Sequence, residues 1–328
     1  MGRRTEISKD SHTALQPTLR LADRHLEAIA AALERSRRPA TRRAYACAWN
    51  QFRTWAEAEG LESLPSDPVV VAAYLAQRAA DGLSVASLEL DRKAIGHYHR
   101  KAGLPSPTSS EGVRQTLAGL RNQAADRGEE PRQARALTAE RMEAIRRTAH
   151  EPRSGPTGRT ESVELARRRG DMDVAIASVM RDAMLRRSEA SELRWGSVMF
   201  RPDGTARVTV RRSKTNRASA MLYVGHEAAE ALRRVRPGNA APTARVFGLR
   251  SGQAISNRLA AMARAAGLGE GFSGHSPRVG MARDLTAAGT ELSALMVAGR
   301  WKSERMPAYY SRAEKAGRGA VAQFYGDS

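Results

Sequence analysis

The sequence predicts a mainly α chain with one small antiparallel β-sheet, divided into an N-terminal helical domain and a C-terminal domain that holds the sheet. Three observations lead there. Apolar residues recur at spacings of three and four through most of the chain, as amphipathic helices require. Period-two alternation is confined to two short runs, residues 206–211 and 218–224, on either side of a polar turn. The stretch Arg127-Gly128-Glu129-Glu130-Pro131-Arg132-Gln133 is polar and contains Gly and Pro, so it reads as a linker. A chain of 328 residues is long enough for two domains with separate cores. The expected layout is a basic tail over 1–18, a helical domain over 19–127, a linker over 128–135 and a second domain over 136–328.

The first helix is expected from Leu19, Ala22, Leu26, Ile29 and Leu33, and ends in Arg35-Ser36-Arg37-Arg38-Pro39. Thr41 should cap a second helix whose inner face carries Tyr45, Trp49, Phe52 and Trp55, with Cys47 in its core and Arg42 and Arg43 in its first turn. Asp67-Pro68 is a cap followed by proline at the first helical position, which starts a third helix through Val71, Tyr74 and Leu75. Ser84 opens a fourth helix, stopped by Gly103-Leu104-Pro105, and a fifth runs from about Ser110 to Asp126.

Beyond the linker, Met142 and Ile145 mark a helix, residues 151–163 read as a Gly/Pro/Ser loop, and Asp171 begins the next helix, which delivers Arg186 at its end. The sheet begins near Trp195. Lys214 falls at its hairpin tip, and Val246-Phe247 is a candidate edge strand. Four further helices are expected: 251–266, with Arg258 outward; 276–288, led by His275; 291–298; and 303–312, which carries Tyr309 and Tyr310. Residues 317–325 form a last short, mostly apolar helix.

The charge balance is far from ordinary. There are 54 Lys and Arg against 35 Asp and Glu, a net +19 and a pI near 11.1. That excess favours a polyanion, DNA or RNA first, held with a steep salt dependence. One cysteine rules out an internal disulfide framework. The seven histidines form no cluster with zinc spacing, and His97 and His99, two apart on a helix, point different ways. No acidic cluster suggests a divalent metal, so neither a metal nor another cofactor is expected. No run of about 18 apolar residues exists, so no membrane span is expected, and the first 16 residues lack the apolar core of a secretory signal. A cytoplasmic, nucleoid-associated protein is the expectation.

The chemistry concentrates near the C-terminal end, in Gly274-His275-Ser276-Pro277-Arg278, Gly299-Arg300-Trp301 and Ala308-Tyr309-Tyr310-Ser311. His275 and Arg278 share a face at a helix start. An arginine fork suits a phosphate, a histidine passes protons near neutral pH, and a tyrosine hydroxyl attacks once its proton is drawn off. Upstream, Leu185-Arg186-Arg187-Ser188-Glu189 supplies a second arginine with a carboxylate, and Arg211-Arg212-Ser213-Lys214-Thr215-Asn216 supplies a lysine. Together they suggest tyrosine attack on a phosphodiester.

The order Arg, Lys, His-x-x-Arg, Trp, Tyr resembles the tyrosine recombinases, the phage integrase family, over roughly residues 20–325. Trp301 stands where most of that family has histidine. The resemblance implies a core-binding (SAM-like) helical domain followed by a tyrosine-recombinase catalytic domain. It implies Arg186 and Arg278 as phosphate donors, and Glu189 as a brace for the arginines or for His275. Lys214 would protonate the leaving 5′ oxygen. His275 would serve proton transfer or donate to the phosphate, and Trp301 would either donate its indole N–H or form core. Family spacing puts the nucleophile nine residues past Trp301, which selects Tyr310 over Tyr309.

The same resemblance offers Arg42, Arg43, Ser87, Arg92 and Arg258 as DNA contacts. Its implied partner is double-stranded DNA with inverted-repeat half-sites. The implied assembly is a homotetramer on two duplexes, joined through the C-terminal helix, acting through a Holliday junction. Two other readings stand beside it: a type IB topoisomerase-like relaxing enzyme, which uses similar residues, and a DNA-binding regulator that has lost catalysis, which would lack a catalytic position.

Overall fold

The computed structural model describes residues 39–129, 133–155, 158–210, 219–310, 312 and 324. The chain divides into two compact units, residues 1–131 and 132–328. The predicted first helix, Lys214 and nearly all of the last predicted helix lie outside the described residues.

Unit 1 has four described helices: α1 (Pro39–Ala58), α2 (Pro68–Ala80), α3 (Val85–Lys101) and α4 (Glu111–Asp126). Two start where the sequence supplies an oxygen for an orphan N–H. Asp67 Oδ1 accepts from Val69 N–H at 2.7 Å ahead of Pro68, and Ser110 Oγ accepts from Val113 N–H at 3.3 Å. The core is Trp49 and Phe52 from α1, Val71, Tyr74 and Leu75 from α2, Leu88 and Ile95 from α3, and Val113 and Leu117 from α4. Trp49 stacks on Tyr98 at 4.8 Å between ring centroids. His99 is buried in this core with both ring nitrogens engaged. Its Nε2 accepts from Ser66 N–H at 3.0 Å, so Nδ1 carries the hydrogen and donates to the Ile95 carbonyl at 2.8 Å.

Two expectations for α1 need correction. Thr41 does not cap the helix, because helical backbone already includes Pro39 and Ala40. Cys47 is exposed, since the stripe through Ala48, Trp49, Phe52 and Ala56 turns it toward solvent.

Unit 2 surrounds α6 (Val163–Asp182), preceded by α5 (Ala139–Thr148). Helix α6 starts eight residues before the predicted Asp171, with Ser162 Oγ accepting from Leu165 N–H at 3.3 Å. The basic run Arg167-Arg168-Arg169-Gly170 hides this extension in the sequence. In the fold Arg167 and Arg168 face solvent, and Gly170 lies so close to Ala149 that a β-carbon would come 2.4 Å from its carbonyl oxygen. A six-residue helix, α7 (Arg187–Glu192), then leads to a three-stranded antiparallel sheet in the order β1 (Val198–Phe200), β2 (Ala206–Val210), β3 (Ala220–Val224). The β2–β3 register runs from Ala206 opposite Val224 to Val210 opposite Ala220. Ala206, Val208 and Val210 turn inward, as period-two alternation requires.

Val246 and Phe247 add no fourth strand. The contact there is a single bridge between Arg194 and Arg245, with Val246 N–H donating to the Leu193 carbonyl at 2.9 Å, while both apolar side chains go into the core. A helix the sequence reading passed over, α8 (His226–Val235), packs on α6 through Ala228, Ala229, Ala231 and Leu232. Helices α9 (Gly252–Ala265), α10 (Ser276–Ala287), α11 (Leu292–Gly299) and α12 (Arg305–Tyr310) complete the unit.

Helix α10 is fixed to the start of the unit. Asp284 accepts the Ala139 N–H of α5 at 2.8 Å and pairs with Arg181 of α6 at 2.5 Å. Arg181 also donates to the Leu137 carbonyl at 2.8 Å. At Gly280 the α10 backbone touches the Leu137 backbone, and a β-carbon would lie 1.8 Å from the Leu137 carbonyl oxygen. Gly280→Ala must therefore push α10 and residue 137 apart. We expect it to destabilise unit 2 by about 3 kcal/mol or more, read as a lowered urea midpoint, whereas Gly119→Ala, on the open face of α4 in unit 1, should stabilise its own unit by about 0.5–1 kcal/mol.

Candidate active site

The site is built where the end of α6, the start of α7, the start of α10 and the turn after α11 converge. Helix α6 stops at Asp182, and Met184 adopts a left-handed backbone with φ 44°. That turn sends Arg186 out as the residue ahead of α7. The helix geometry then brings Glu189 back toward it: Arg186 N–H donates to Glu189 Oε2 at 2.9 Å and its Nη1 donates to Oε1 at 2.9 Å. Arg187 turns away, toward Gln253 and Ser256 of α9 at 3.3 and 3.5 Å.

Arg278 enters from the first turn of α10 and is 2% exposed. Its Nη1 donates to the Met184 carbonyl at 2.6 Å and its Nη2 to the Gly299 carbonyl. Its guanidinium lies 4.3 Å from the centroid of the Trp301 ring. Burial, with Arg186 and Arg300 alongside, pushes Arg278 down to about 9, against the pull of Glu189 and Tyr310. It stays charged at neutral pH, in a place where positive charges outnumber negative ones.

Burial raises the Glu189 carboxyl, but Arg300 and the hydrogen bonds from Arg186 outweigh it and hold the group below the ordinary carboxylate range. His275 is exposed at the head of α10. Partial desolvation, then the charges of Arg187, Arg278 and Arg186, hold its imidazole below the usual histidine range, so it is neutral near pH 7.

Trp301 is placed by a helix end. Gly299 closes α11, and a β-carbon there would come 2.0 Å from the indole ring. The turn is held by Arg300 N–H to the Val297 carbonyl and Trp301 N–H to the Met296 carbonyl, both 3.0 Å. Trp301 and Tyr310 pack together at 5.8 Å against a small cluster of Met184, Ala282 and Leu295. Tyr310 is half-buried. Burial raises its phenol, Arg278 lowers it, Tyr309 raises it and Arg186 lowers it, for a net rise. Both guanidinium groups thus reach the Tyr310 phenol electrostatically. Tyr309 instead carries Arg312 at 5.5 Å from its ring.

The structure therefore brings Arg186, Glu189, His275, Arg278, Trp301 and Tyr310 into one neighbourhood. Lys214 follows β2 in the sequence and lies outside the described residues. The five candidate DNA contacts are elsewhere. Arg42 and Arg43 are exposed on α1, and Ser87 is half-exposed on α3 with Ser84 Oγ at 3.1 Å. Arg92 pairs with Glu89 at 3.2 Å, and Glu89 also meets Lys93 at 3.6 Å and Arg121. Arg258 is not simply outward. Its Nε is paired with Asp173, a fully buried α6 carboxylate that also holds Arg153 at 3.1 Å and Arg169 at 3.2 Å.

Arg300, which follows Gly299 in the sequence motif with no expected role, also belongs to this site. A helix-ending glycine followed by arginine marks a turn, but only the fold shows that Arg300, and not Gly299, takes the left-handed position where glycine or asparagine is usual.

An arginine pair, a braced carboxylate, and a tyrosine packed on tryptophan define a class. Residues 164–316, all within unit 2, match the phage integrase family, the tyrosine recombinases. It is similar to the recombinase Cre of Escherichia phage P1, with 24% identity over 307 residues that span 84% of each chain. The fold is also that of a lambda integrase dimer bound to a COC′ core site, at TM-score 0.56 and 19% identity over 88% of this chain and 93% of that one. A Tn1549 transposon integrase in complex with transposon right end DNA aligns at TM-score 0.54 and 13% identity, over 83% and 92% of the two chains. Among the described residues no helix is long and apolar enough to cross a membrane.

Proposed function

We propose that this protein is a site-specific DNA recombinase whose nucleophile is Tyr310. The observation that carries the reading is the position of the Tyr310 phenol, packed on Trp301 and within electrostatic reach of both Arg278 and Arg186. The phenolic oxygen attacks a DNA phosphorus, and the P–O5′ bond breaks. The products are a 3′-phosphotyrosine and a free 5′ hydroxyl. Arg186 and Arg278 donate to the non-bridging oxygens as the second negative charge develops there. Glu189 keeps Arg186 in place. The phenol is neutral at rest, so its proton must leave during attack, and we assign neutral His275, which shares Arg186 and Arg278 as neighbours with the phenol, as its acceptor. Lys214 protonates the departing oxygen, and Trp301 seats the tyrosine helix. Attack by a 5′ hydroxyl from a second duplex reverses the step. The bond energy stays in the phosphotyrosine, so no nucleotide is consumed.

In this reading residues 19–127 form the core-binding domain, with Arg42, Arg43, Ser87 and Arg92 toward DNA, and residues 136–328 form the catalytic domain, with Arg258 toward the major groove. The partner is double-stranded DNA with inverted half-sites. The assembly is a homotetramer linked through residues 317–325, and the strands pass through a Holliday junction. The test is to trap the covalent adduct on nicked suicide substrates and map the attachment points. Paired inverted half-sites about one helical turn apart support recombination. Scattered attachment favours a relaxing enzyme, and no attachment refutes the reading.

One pH dependence follows. Because His275 titrates below the ordinary value of about 6.5, single-turnover cleavage should hold steady down to that pH and fall only below it, as the imidazole gains its proton. His275→Gln should remove that acid limb. A limb that persists unchanged in this variant would assign the proton transfer elsewhere.

A further inference from the structure

Among the described residues, two that are not glycine have positive φ: Met184 at 44° and Arg300 at 54°. Both are at the active site, where strained backbone is most often retained for function. Position 300 is the left-handed residue that ends α11, a place where glycine is favoured because it has no β-carbon. The chain instead places its bulkiest cation there and buries it, with 5% of the side chain exposed.

The arginine does specific work. Its Nη2 donates to Glu189 Oε2 at 2.9 Å and to the Met184 carbonyl at 3.0 Å. The same Met184 carbonyl accepts from Arg278, and the same Glu189 holds Arg186. Arg278 in turn donates to the carbonyl of Gly299, the residue next to Arg300. The two phosphate arginines are thus joined through a closed chain of hydrogen bonds in which Arg300 is the central link. Its Nε and Nη1 are buried and have no hydrogen-bond partner among the described residues, so the group is sealed from any ligand that would approach from solvent.

We infer that Arg300 is a positioning residue for strand cleavage: it locks Glu189 and the Met184 carbonyl in one arrangement, and so holds Arg186 and Arg278 at the separation a five-coordinate phosphorus requires. This rests on the proposed cleavage chemistry only for its consequence in rate; the claim about the arginines stands on the hydrogen-bond chain. Charge agrees with it. Arg186, Arg278 and Arg300 meet the single negative charge of Glu189, which leaves two positive charges for a phosphorane that carries two negative ones. The link also joins the turn that seats Trp301 to the arginines, so the segment that carries the nucleophile and the groups that hold the phosphate are set together.

The test compares wild type, Arg300→Gly, Arg300→Lys and Glu189→Gln. Three quantities are read: adduct formation on a suicide substrate, equilibrium DNA affinity, and calorimetric affinity for orthovanadate, a five-coordinate mimic, counting the component lost in Arg278→Lys. Glycine suits the backbone at 300, which offsets part of the lost buried contacts, so Arg300→Gly should still fold, with a melting midpoint measured alongside to keep the comparison between folded proteins. We expect it to form adduct at least about 30-fold more slowly and bind vanadate at least about fivefold more weakly, with DNA affinity unchanged. Arg300→Lys should recover part of both, and combining Arg300→Gly with Glu189→Gln should be no worse than the more severe single change. Wild-type adduct rate and vanadate affinity in Arg300→Gly would overturn the inference. So would a loss of DNA affinity as large as the loss of rate in both Arg300 variants, which would make the residue merely structural. If wild type forms no adduct but its vanadate affinity still depends on Arg300, the cleavage reading fails and the positioning role stands.

Discussion

Tyr310→Phe should form no covalent DNA adduct, with single-turnover cleavage reduced by at least about 10⁴-fold, while Tyr309→Phe stays within about tenfold of wild type. The two phenols are adjacent in sequence, but their surroundings differ. Tyr310 packs on Trp301 and feels both Arg278 and Arg186; Tyr309 lies under Arg312. Phenylalanine keeps the ring contacts and removes only the hydroxyl, so Tyr310→Phe should retain its melting temperature and its DNA affinity. Gel analysis of a nicked substrate separates the two variants directly. Adduct formation by Tyr310→Phe at the wild-type rate would remove the basis for the assigned chemistry.

The second large effect is expected at Arg278. Arg278→Lys should lower single-turnover cleavage by about 10²- to 10³-fold and destabilise unit 2 by about 1–3 kcal/mol, read from denaturant titration. The guanidinium uses separate nitrogens for two buried carbonyls, Met184 and Gly299, and lies against Trp301. An ammonium cannot span both acceptors in that geometry. Charge adds to the loss. The surroundings that take the arginine to about 9 would act on an amine whose ordinary value is about 10.4, bringing it close to neutrality, so that part of the population carries no charge. Cleavage by the lysine variant should therefore decline further as pH rises, where the arginine enzyme holds constant. A lysine enzyme as fast as wild type at every pH would show that Arg278 does not stabilise the developing charge.

Short-range chemistry made much of this chain legible. Caps such as Asp67, Ser110 and Ser251 have their acceptor and donor within three residues, and the stripe from Trp49 to Ala56 needs nothing beyond α1 to be seen. The same short range explains the misses. The first turns of α6 are exposed and basic, and the tight approach of Gly170 depends on Ala149, which is distant in sequence. Val246 and Phe247 have a strand-like composition, but whether they pair is decided by Leu193 and Arg194. Cys47 lies in a helical run that looks like core, but its angle around α1 from Trp49 sets it on the solvent side. The motif residues could be picked out because their order and spacing are distinctive, whereas Arg300 could not be valued from the sequence. Its worth lies in partners at 184 and 189, more than a hundred positions away.

Asp173 has a consequence for the basic face of unit 2. One carboxylate, wholly enclosed, ties down Arg153, Arg169 and Arg258. A solvated arginine samples many rotamers, and fixing one surrenders roughly 2 kcal/mol of that freedom. Here the loss is incurred as the chain folds, before any ligand arrives. Three cations balanced by two anions, Asp173 and the Glu161 that also holds Arg169 at 2.9 Å, leave a surplus of one positive charge whose geometry is already set, so a polyanion that reaches this face meets an ordered array instead of a fringe of loose side chains.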